Sequence, residues 1–222
     1  MCWSFEASLT TFILGVGSSL YLIYRNSYLD RIIGYIMLHV TSMQGLEALM
    51  WMDQKCTGLN QYATKIATLV NITQPITAFL VLQDFYLKEY KSYVNLIMLV
   101  YIIFILFYLN KVIIKNMNKE DFFCTTALNK HHLQWNWVGD NDNLKEFEGY
   151  FWIMFDIALI IPMFFLKNRF FSYFMGITFS LSLLFAFYYY RETRSIGSWW
   201  CVMAVLLPII KVLLPENYFR IK

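Results

Sequence analysis

Long apolar stretches recur along the chain, and polar segments separate them. An α-helix rises 1.5 Å per residue, so about 20 apolar residues cross a hydrocarbon core of about 30 Å. The pattern predicts an all-α membrane protein, with seven transmembrane helices in a single domain covering residues 1–222. The predicted spans are about 9–24, 32–52, 66–82, 94–109, 150–166, 170–190 and 196–214.

Five of the six predicted connections are short, and the exception is a polar loop at 110–149, between the fourth and fifth helices. This loop is rich in Asn, Asp and Lys. No shift in composition marks a second domain. The chain also has no clear internal repeat, which argues against a transporter built from inverted repeats.

Composition supports a membrane protein and excludes other classes. Hydrophobic residues make up 59% of the 222 residues and charged residues 15%. A net charge of +3, spread along the chain, does not favour a nucleic-acid partner. The sequence lacks phosphate-binding, zinc-protease and serine-hydrolase motifs, so no cofactor is predicted. The expected partner is the lipid bilayer.

The positions of Lys and Arg predict the orientation in the membrane. Excluding the long loop, four of them lie on one face and eight on the other. Arg25 and Arg31 follow the first apolar stretch, and no basic residue precedes it. Cytoplasmic loops carry the excess of basic residues, so we expect the N-terminus outside and the C-terminus in the cytoplasm. The first stretch is interpreted as a retained helix rather than a cleaved signal peptide.

All four cysteines fall on or near the predicted outer face, which would permit disulfides in an oxidising compartment. The favoured pair is Cys56 and Cys124, because it would tie the long loop to a short one. Free thiols are the alternative. A metal site of Cys124 with His131 and His132 is less favoured, since the spacing is not that of a zinc site. The four cysteines are Cys2, Cys56, Cys124 and Cys201.

Two acidic residues, Glu47 and Asp156, lie inside predicted spans. A carboxylate at a helix centre costs about 2.5–3.5 kcal/mol on insertion scales, so it needs a reason to be there. His39 precedes Glu47 by two i+4 steps and shares its helix face, and Gln44 lies three residues before Glu47. Both acids are expected in the outer half of the membrane, where they could meet.

The third span adds Asn71, Thr73 and Gln74, whose side chains could supply neutral ligands. Pro75 cannot donate to the Asn71 carbonyl one turn earlier. Together with the two acids, and with His39 as a relay, these residues form a candidate proton or cation site. The alternative is that the polar groups only hold helices together.

The sequence also bears on two other classes, an enzyme and a photoreceptor. A metal-dependent intramembrane hydrolase could use His39, Glu47 and Asp156, although no histidine follows His132. A retinal protein would use Lys211 in the last span. Lys211 lies close to the helix end, however, and is expected to extend to the cytoplasmic interface.

Three segments carry a resemblance: Met1–Ser4, the Gln44–Trp51 pattern QxxEAxxW, and the His132–Trp137 pattern HLxWxW. They resemble an uncharacterised family of small polytopic membrane proteins from microbes and large DNA viruses. The resemblance implies the fold and a host or virion membrane, and no activity. Members often carry Pro where this chain has Asn136. The Lys-, Asn- and Ile-rich usage also resembles an A+T-rich viral genome.

Beside a membrane surface, Trp135 and Trp137 favour a loop that places its rings in the headgroup layer. Stacking on a ligand is the alternative for these rings. The leading functional hypothesis is a small transporter or channel for protons or cations. The second is a non-catalytic viral or organelle membrane protein whose outer loop, near His132, binds a partner or the membrane surface.

Overall fold

A computed structural model describes residues 4–119, 122–128, 132–139, 145–190 and 196–214. Within these residues, a helix occupies each of the seven predicted segments. The helices are α1 (Phe5–Arg25), α2 (Tyr28–Met52), α3 (Leu59–Leu82), α4 (Lys91–Tyr108), the short α5 (Asn136–Gly139), α6 (Lys145–Ile160), α7 (Arg169–Tyr190) and α8 (Ile196–Leu213). Two strands, β1 (Thr125–Leu128) and β2 (His132–Trp135), form an antiparallel hairpin.

Four helical stretches are long and apolar enough to cross a membrane: Phe5–Arg25, Leu59–Leu82, Lys88–Ile114 and Arg169–Tyr189. A shorter apolar helix covers Gly149–Phe165. These stretches support an integral membrane protein.

The predicted loop at 110–149 is only partly a loop. The fourth helix continues as a π-helical stretch, Leu109–Ile114, before the chain turns. Asn110 and Lys111 suggested an earlier end of the helix, but both side chains are exposed, and Val112 after them is fully buried. At the other end α6 begins at Lys145, where the sequence suggested loop.

The first two helices form a tight antiparallel hairpin. Asn26 ends α1 in the left-handed conformation, with φ 59°, and Ser27 caps the N-terminus of α2 by accepting from the Asp30 N–H. Gly34 lets the helices approach, because a Cβ there would lie 2.9 Å from the Ser19 carbonyl oxygen. Small residues at such contacts are typical of membrane helices.

The other helices form two groups around this hairpin. α8 packs against both α1 and α2, and α7 packs against α8. α3 packs against α2 on one side and against α4 and α6 on the other, and α4 also contacts α6. At the end away from the hairpin β1–β2, Tyr86 and Leu166 form a β-bridge that joins the ends of α3 and α6.

The residues 122–128 and 132–139, which we call the cap, are fastened to the α2–α3 turn. A disulfide joins Cys56 to Cys124. The Asn60 amide donates to the Thr125 carbonyl at 2.6 Å and accepts from the Thr125 N–H at 2.9 Å. Gln54 accepts from the Ala127 N–H at 2.7 Å. The cap therefore sits over the end of the bundle that contains the α2–α3 turn, which we call the cap side.

Candidate functional site

A short chain of hydrogen bonds holds Glu47, near the cap side of α2. Its side chain is fully buried, and Oε2 accepts from Gln44 Nε2 at 2.9 Å. The Thr11 hydroxyl of α1 in turn donates to Gln44 Oε1 at 2.9 Å. Glu47 is therefore linked to the α1–α2 interface through an amide and a hydroxyl. Both of these groups can donate and accept hydrogen bonds.

Further polar residues continue this interface across the molecule. Ser8, Thr11, Gly15 and Ser19 follow one face of α1 at helical spacing. On α2 the matching residues run from Glu47 to Asp30, which are 17 positions or about 25 Å apart. We call this strip the α1–α2 seam. Its members are Ser8, Thr11 and Ser19 of α1, and Asp30, Thr41, Gln44 and Glu47 of α2, of which all but Thr11 are buried.

The seam is closed near its middle. A Cβ at Gly15 would lie 2.5 Å from Thr41 Cγ2 and 3.1 Å from Val205 Cγ1 of α8, so the three helices touch here. On either side of this contact the hydroxyls of Ser8 and Ser19 are buried with no hydrogen-bond partner among the described residues. Polar groups thus flank a tight contact between helices.

Asp30 lies at the end of the seam away from the cap, in a cluster of charges. Arg25 Nε donates to Asp30 Oδ2 at 2.6 Å, and Lys211 Nζ of α8 lies 2.8 Å from Asp30 Oδ1. Arg25 also donates to the carbonyls of Lys211 and Val212 at the end of α8. Cations near a helix C-terminus complement its partial negative charge. The cluster, called the Asp30 triad, ties α8 to the first hairpin.

The prediction that Lys211 extends to the interface is wrong. Its side chain is buried, and its ammonium pairs with Asp30 instead of meeting solvent. Lys211 does lie in the last turn of α8, as predicted. Its ammonium is held there by the Asp30 carboxylate. A retinal Schiff base would have to displace this ion pair.

His39 contacts α3 rather than Glu47. His39 Nε2 lies 2.9 Å from the Val70 carbonyl oxygen and 3.2 Å from Thr73 Oγ1. Glu47 is eight residues away on the same helix, about 12 Å along the axis. Within the described parts of the chain, no three His, Cys, Asp or Glu residues come close enough to hold a metal ion. His39, Glu47 and Asp156, the residues of the alternative hydrolase site, therefore do not form such a group.

The expectation that Glu47 and Asp156 lie at one depth is not supported by the helix registers. Tyr108 of α4 contacts Phe151 of α6, with ring centroids 5.0 Å apart. Moving away from the cap, Tyr101 follows Tyr108 after about 10 Å and Asp156 follows Phe151 after about 7 Å. Asp156 therefore lies near the level of Tyr101, whose hydroxyl donates to the Ile72 carbonyl of α3 at 2.8 Å.

His39 lies at nearly the same level, because it bonds to Val70 of α3. Glu47 is about 12 Å closer to the cap than His39, so it is also well separated in depth from Asp156. The sequence could not show this difference, since it depends on how far α6 extends towards the cap side.

Asn71 and Gln74 are buried in α3 close to the level of Asp156. Asn71 Oδ1 and both polar atoms of the Gln74 amide have no hydrogen-bond partner among the described residues. The same is true of Asp156 Oδ1 on α6. Thr73 differs, because its hydroxyl donates to the Leu69 carbonyl of its own helix.

The interpretation of Trp135 and Trp137 as interfacial side chains is wrong. Both rings are buried, and they stack with centroids 5.9 Å apart. Trp137 packs edge-on against Phe151 of α6, and its carbonyl accepts from the Tyr108 hydroxyl at 3.2 Å. Through Trp137 the cap therefore contacts α4 and α6. Both tryptophan rings belong to an aromatic core and do not face lipid headgroups.

The predicted disulfide pair is present as a bond, with Cα atoms of Cys56 and Cys124 5.7 Å apart. Cys2, His131 and the side chains of His132 and Cys201 lie outside the described residues. Of the seven members of the seam, sequence reasoning found Gln44 and Glu47 and missed the other five. Asp30 could have been found from Arg25 five residues earlier across a short turn, while nothing marks Thr11 within its apolar stretch.

No family model, curated protein or solved structure matches this chain.

Proposed function

We propose that this chain is a seven-span integral membrane protein that moves protons or other small cations, with Glu47 as the group that binds them on the cap side. The Thr11–Gln44–Glu47 chain of hydrogen bonds, with Gln44 and Glu47 fully buried, supports the proposal most directly. An ionisable residue inside a membrane bundle is a functional candidate by default, because its burial is costly.

The seam offers a route for such an ion. Glu47 and the Asp30 triad stand at its two ends, about 25 Å apart, which approaches the thickness of the hydrocarbon core. Hydroxyls of Ser8, Thr11 and Ser19 lie along the same face of α1. Thr41 of α2 and Val205 of α8 both contact Gly15, so separation of α1 from these two helices would join the polar halves, and this contact is the gate in this proposal.

Flux into liposomes tests the proposal. The full chain is reconstituted with a pH-sensitive dye inside, under a potassium gradient with valinomycin. We expect proton or cation flux above empty liposomes, and at least a tenfold loss in Glu47→Gln, because the amide keeps the shape and cannot ionise. Glu6→Gln is the matched control, since Glu6 is an exposed glutamate at the start of α1. Its flux should equal that of the unmodified chain.

Equal flux from Glu47→Gln and the unmodified chain would contradict the proposal. So would an unmodified chain that is no more permeable than empty vesicles, provided that an added protonophore still collapses the gradient.

The second candidate is a non-catalytic membrane protein whose cap binds a partner or a membrane surface. The covalent and hydrogen-bonded attachment of the cap favours it, because a fixed surface loses little entropy on binding. Since Trp135 and Trp137 are buried, other cap residues would make the contact. This function predicts no flux, and binding that survives Glu47→Gln.

A further inference from the structure

We propose that α3 and α6 hold a second site, made by Asn71, Gln74 and Asp156, which binds a monovalent metal cation in the middle of the membrane. This site lies outside the α1–α2 seam and goes beyond the function proposed above. The argument rests on buried polar atoms that the described residues leave without partners.

The first step is the depth of the three residues. α3 packs against α6, and α4 packs against both. Tyr101 of α4 bonds to the Ile72 carbonyl, which lies between Asn71 and Gln74 along α3. Asp156 is within about 3 Å of the Tyr101 level by the register of α4 on α6. The three polar side chains therefore lie within about one helical turn in depth, on helices that touch.

The second step is the state of these side chains. The exposed fraction is 2% for Asn71 and 1% for Gln74. Asn71 Oδ1, Gln74 Oε1 and Asp156 Oδ1 are buried without a hydrogen-bond partner in the described chain. Burying a polar group costs free energy unless something binds it. Several such atoms at one level, on helices in contact, point to a ligand that supplies the missing interactions.

The third step is the backbone of α3. Pro75 has no N–H, so it cannot donate to the carbonyl of Asn71 four residues earlier. Interrupted helices expose carbonyl oxygens in this way, and such oxygens coordinate Na⁺ in many membrane transporters. The Asn71 residue can therefore offer two oxygens, one from its backbone and one from its side chain.

The chemistry of the donors selects the ligand. Amide, carbonyl and carboxylate oxygens are hard ligands, which suit alkali and alkaline-earth cations rather than zinc or copper. Asp156 is the only carboxylate in the set, so it balances one positive charge. A monovalent cation such as Na⁺ or K⁺ would leave the site neutral, whereas a divalent cation would leave an uncompensated charge in low dielectric.

Cation-dependent thermal unfolding of the full chain in detergent tests this site. The Tm is followed as NaCl or KCl replaces choline chloride at constant ionic strength. We expect a saturable rise of about 5 °C at a hundredfold excess over Kd, because a ligand that binds only the folded state stabilises it. Asp156→Asn should abolish the rise, while Asn71→Leu and Gln74→Leu should each raise the apparent Kd at least tenfold.

Glu47→Gln serves as the control and separates this site from the proposed flux. It should keep the Na⁺- or K⁺-dependent rise even when it abolishes transport. The inference is overturned if choline gives the same rise, or if Asp156→Asn responds as the unmodified chain does. It is also overturned if only a fall in pH stabilises the protein, since Asp156 would then bind a proton alone. If Asp156→Asn does not fold, the two leucine variants decide by the same criteria.

Discussion

At the scale of single residues, Asp30 shows how a charge can be kept inside a bundle. Oδ1 of its carboxylate accepts from Arg25 Nη2 at 2.9 Å and lies 2.8 Å from Lys211 Nζ. Oδ2 pairs with Arg25 Nε. Taking a charge out of water is costly, and only a well-placed opposite charge offsets that cost. Arg25 is close in sequence, but Lys211 comes 181 positions later, so their meeting depends on the packing of α8.

Asp30→Asn is expected to lower the free energy of unfolding by about 3 kcal/mol, because it leaves the buried Lys211 and the partly buried Arg25 without their carboxylate. The measurement is thermal or denaturant unfolding of the full chain in detergent. Adding Lys211→Met to Asp30→Asn should recover part of the loss, since one of the unpaired charges is removed.

Asp84→Asn is the control for this experiment, because Asp84 is an exposed aspartate outside the helices. It should change the free energy of unfolding by less than about 0.5 kcal/mol. A loss of similar size in the Asp84 and Asp30 variants would contradict the buried role of the triad.

At the scale of helices, small residues set the distance between α1 and α2. Gly15 meets Thr41, Gly34 meets Ser19 and Ile23, and Gly45 meets the Phe12 ring. Each contact would be too close for a Cβ without movement of its neighbour. Van der Waals contact through small residues is the main force between membrane helices, because lipid is as apolar as the side chains.

Gly34→Ala should therefore destabilise the protein by about 1–3 kcal/mol, which is typical of overpacking. Its Cβ would lie 2.9 Å from the Ser19 carbonyl oxygen and 2.7 Å from Ile23 Cγ1. Gly17→Ala is the matched control on α1, where a Cβ would meet nothing within 4 Å. Unfolding midpoints measured side by side should fall for Gly34→Ala and stay level or rise for Gly17→Ala. Equal behaviour would argue against close packing at Gly34.

Helix positions were the part of the fold that hydropathy could predict. The long apolar stretches located seven helices, with most ends within a few residues of those in the structure. The larger differences arose where polar residues continue a helix, as Asn60 does in α3 and as Lys111 does after α4. Hydropathy treats these residues as boundaries, whereas the backbone remains helical because tertiary contacts or solvent satisfy the side chains.

At the scale of the whole molecule, the arrangement of the candidate sites could not be read from the chain. The sequence singled out Glu47 and Asp156 as acids within apolar helices, but it did not indicate their separate surroundings. Glu47 belongs with Thr11 and Gln44, while Asp156 lies at the level of Tyr101 and Ile72. Which helices touch, and at what register, depends on side-chain packing that hydropathy does not encode.

The disulfide joins distant parts of the molecule and provides a test at this scale. Cys56 and Cys124 are separated by 68 positions, and their bond fastens the cap to the α2–α3 turn. Cys124→Ser is expected to lower the free energy of unfolding by about 2–4 kcal/mol. Peptide mapping without reduction should recover the two cysteines in one linked fragment. Disulfides persist in oxidising compartments, so this result would also place the cap side outside the cytoplasm.

Cys201→Ser is the control, and it should leave the linked fragment unchanged. Alkylation of Cys56 and Cys124 in native membranes, without a prior reducing step, would show free thiols and contradict the pairing.

The Asp30 triad also constrains how the protein is made. Lys211 is synthesised 181 positions after Asp30, a delay of about 10–40 s at ordinary translation speeds. During that interval the nascent hairpin of α1 and α2 has its Arg25–Asp30 pair in place, but it lacks the helix that covers one side. We expect the insertion machinery to hold this surface until α8 leaves the ribosome. A product that stops before Lys211 would present an uncovered polar surface to lipid, which makes it a substrate for membrane quality control.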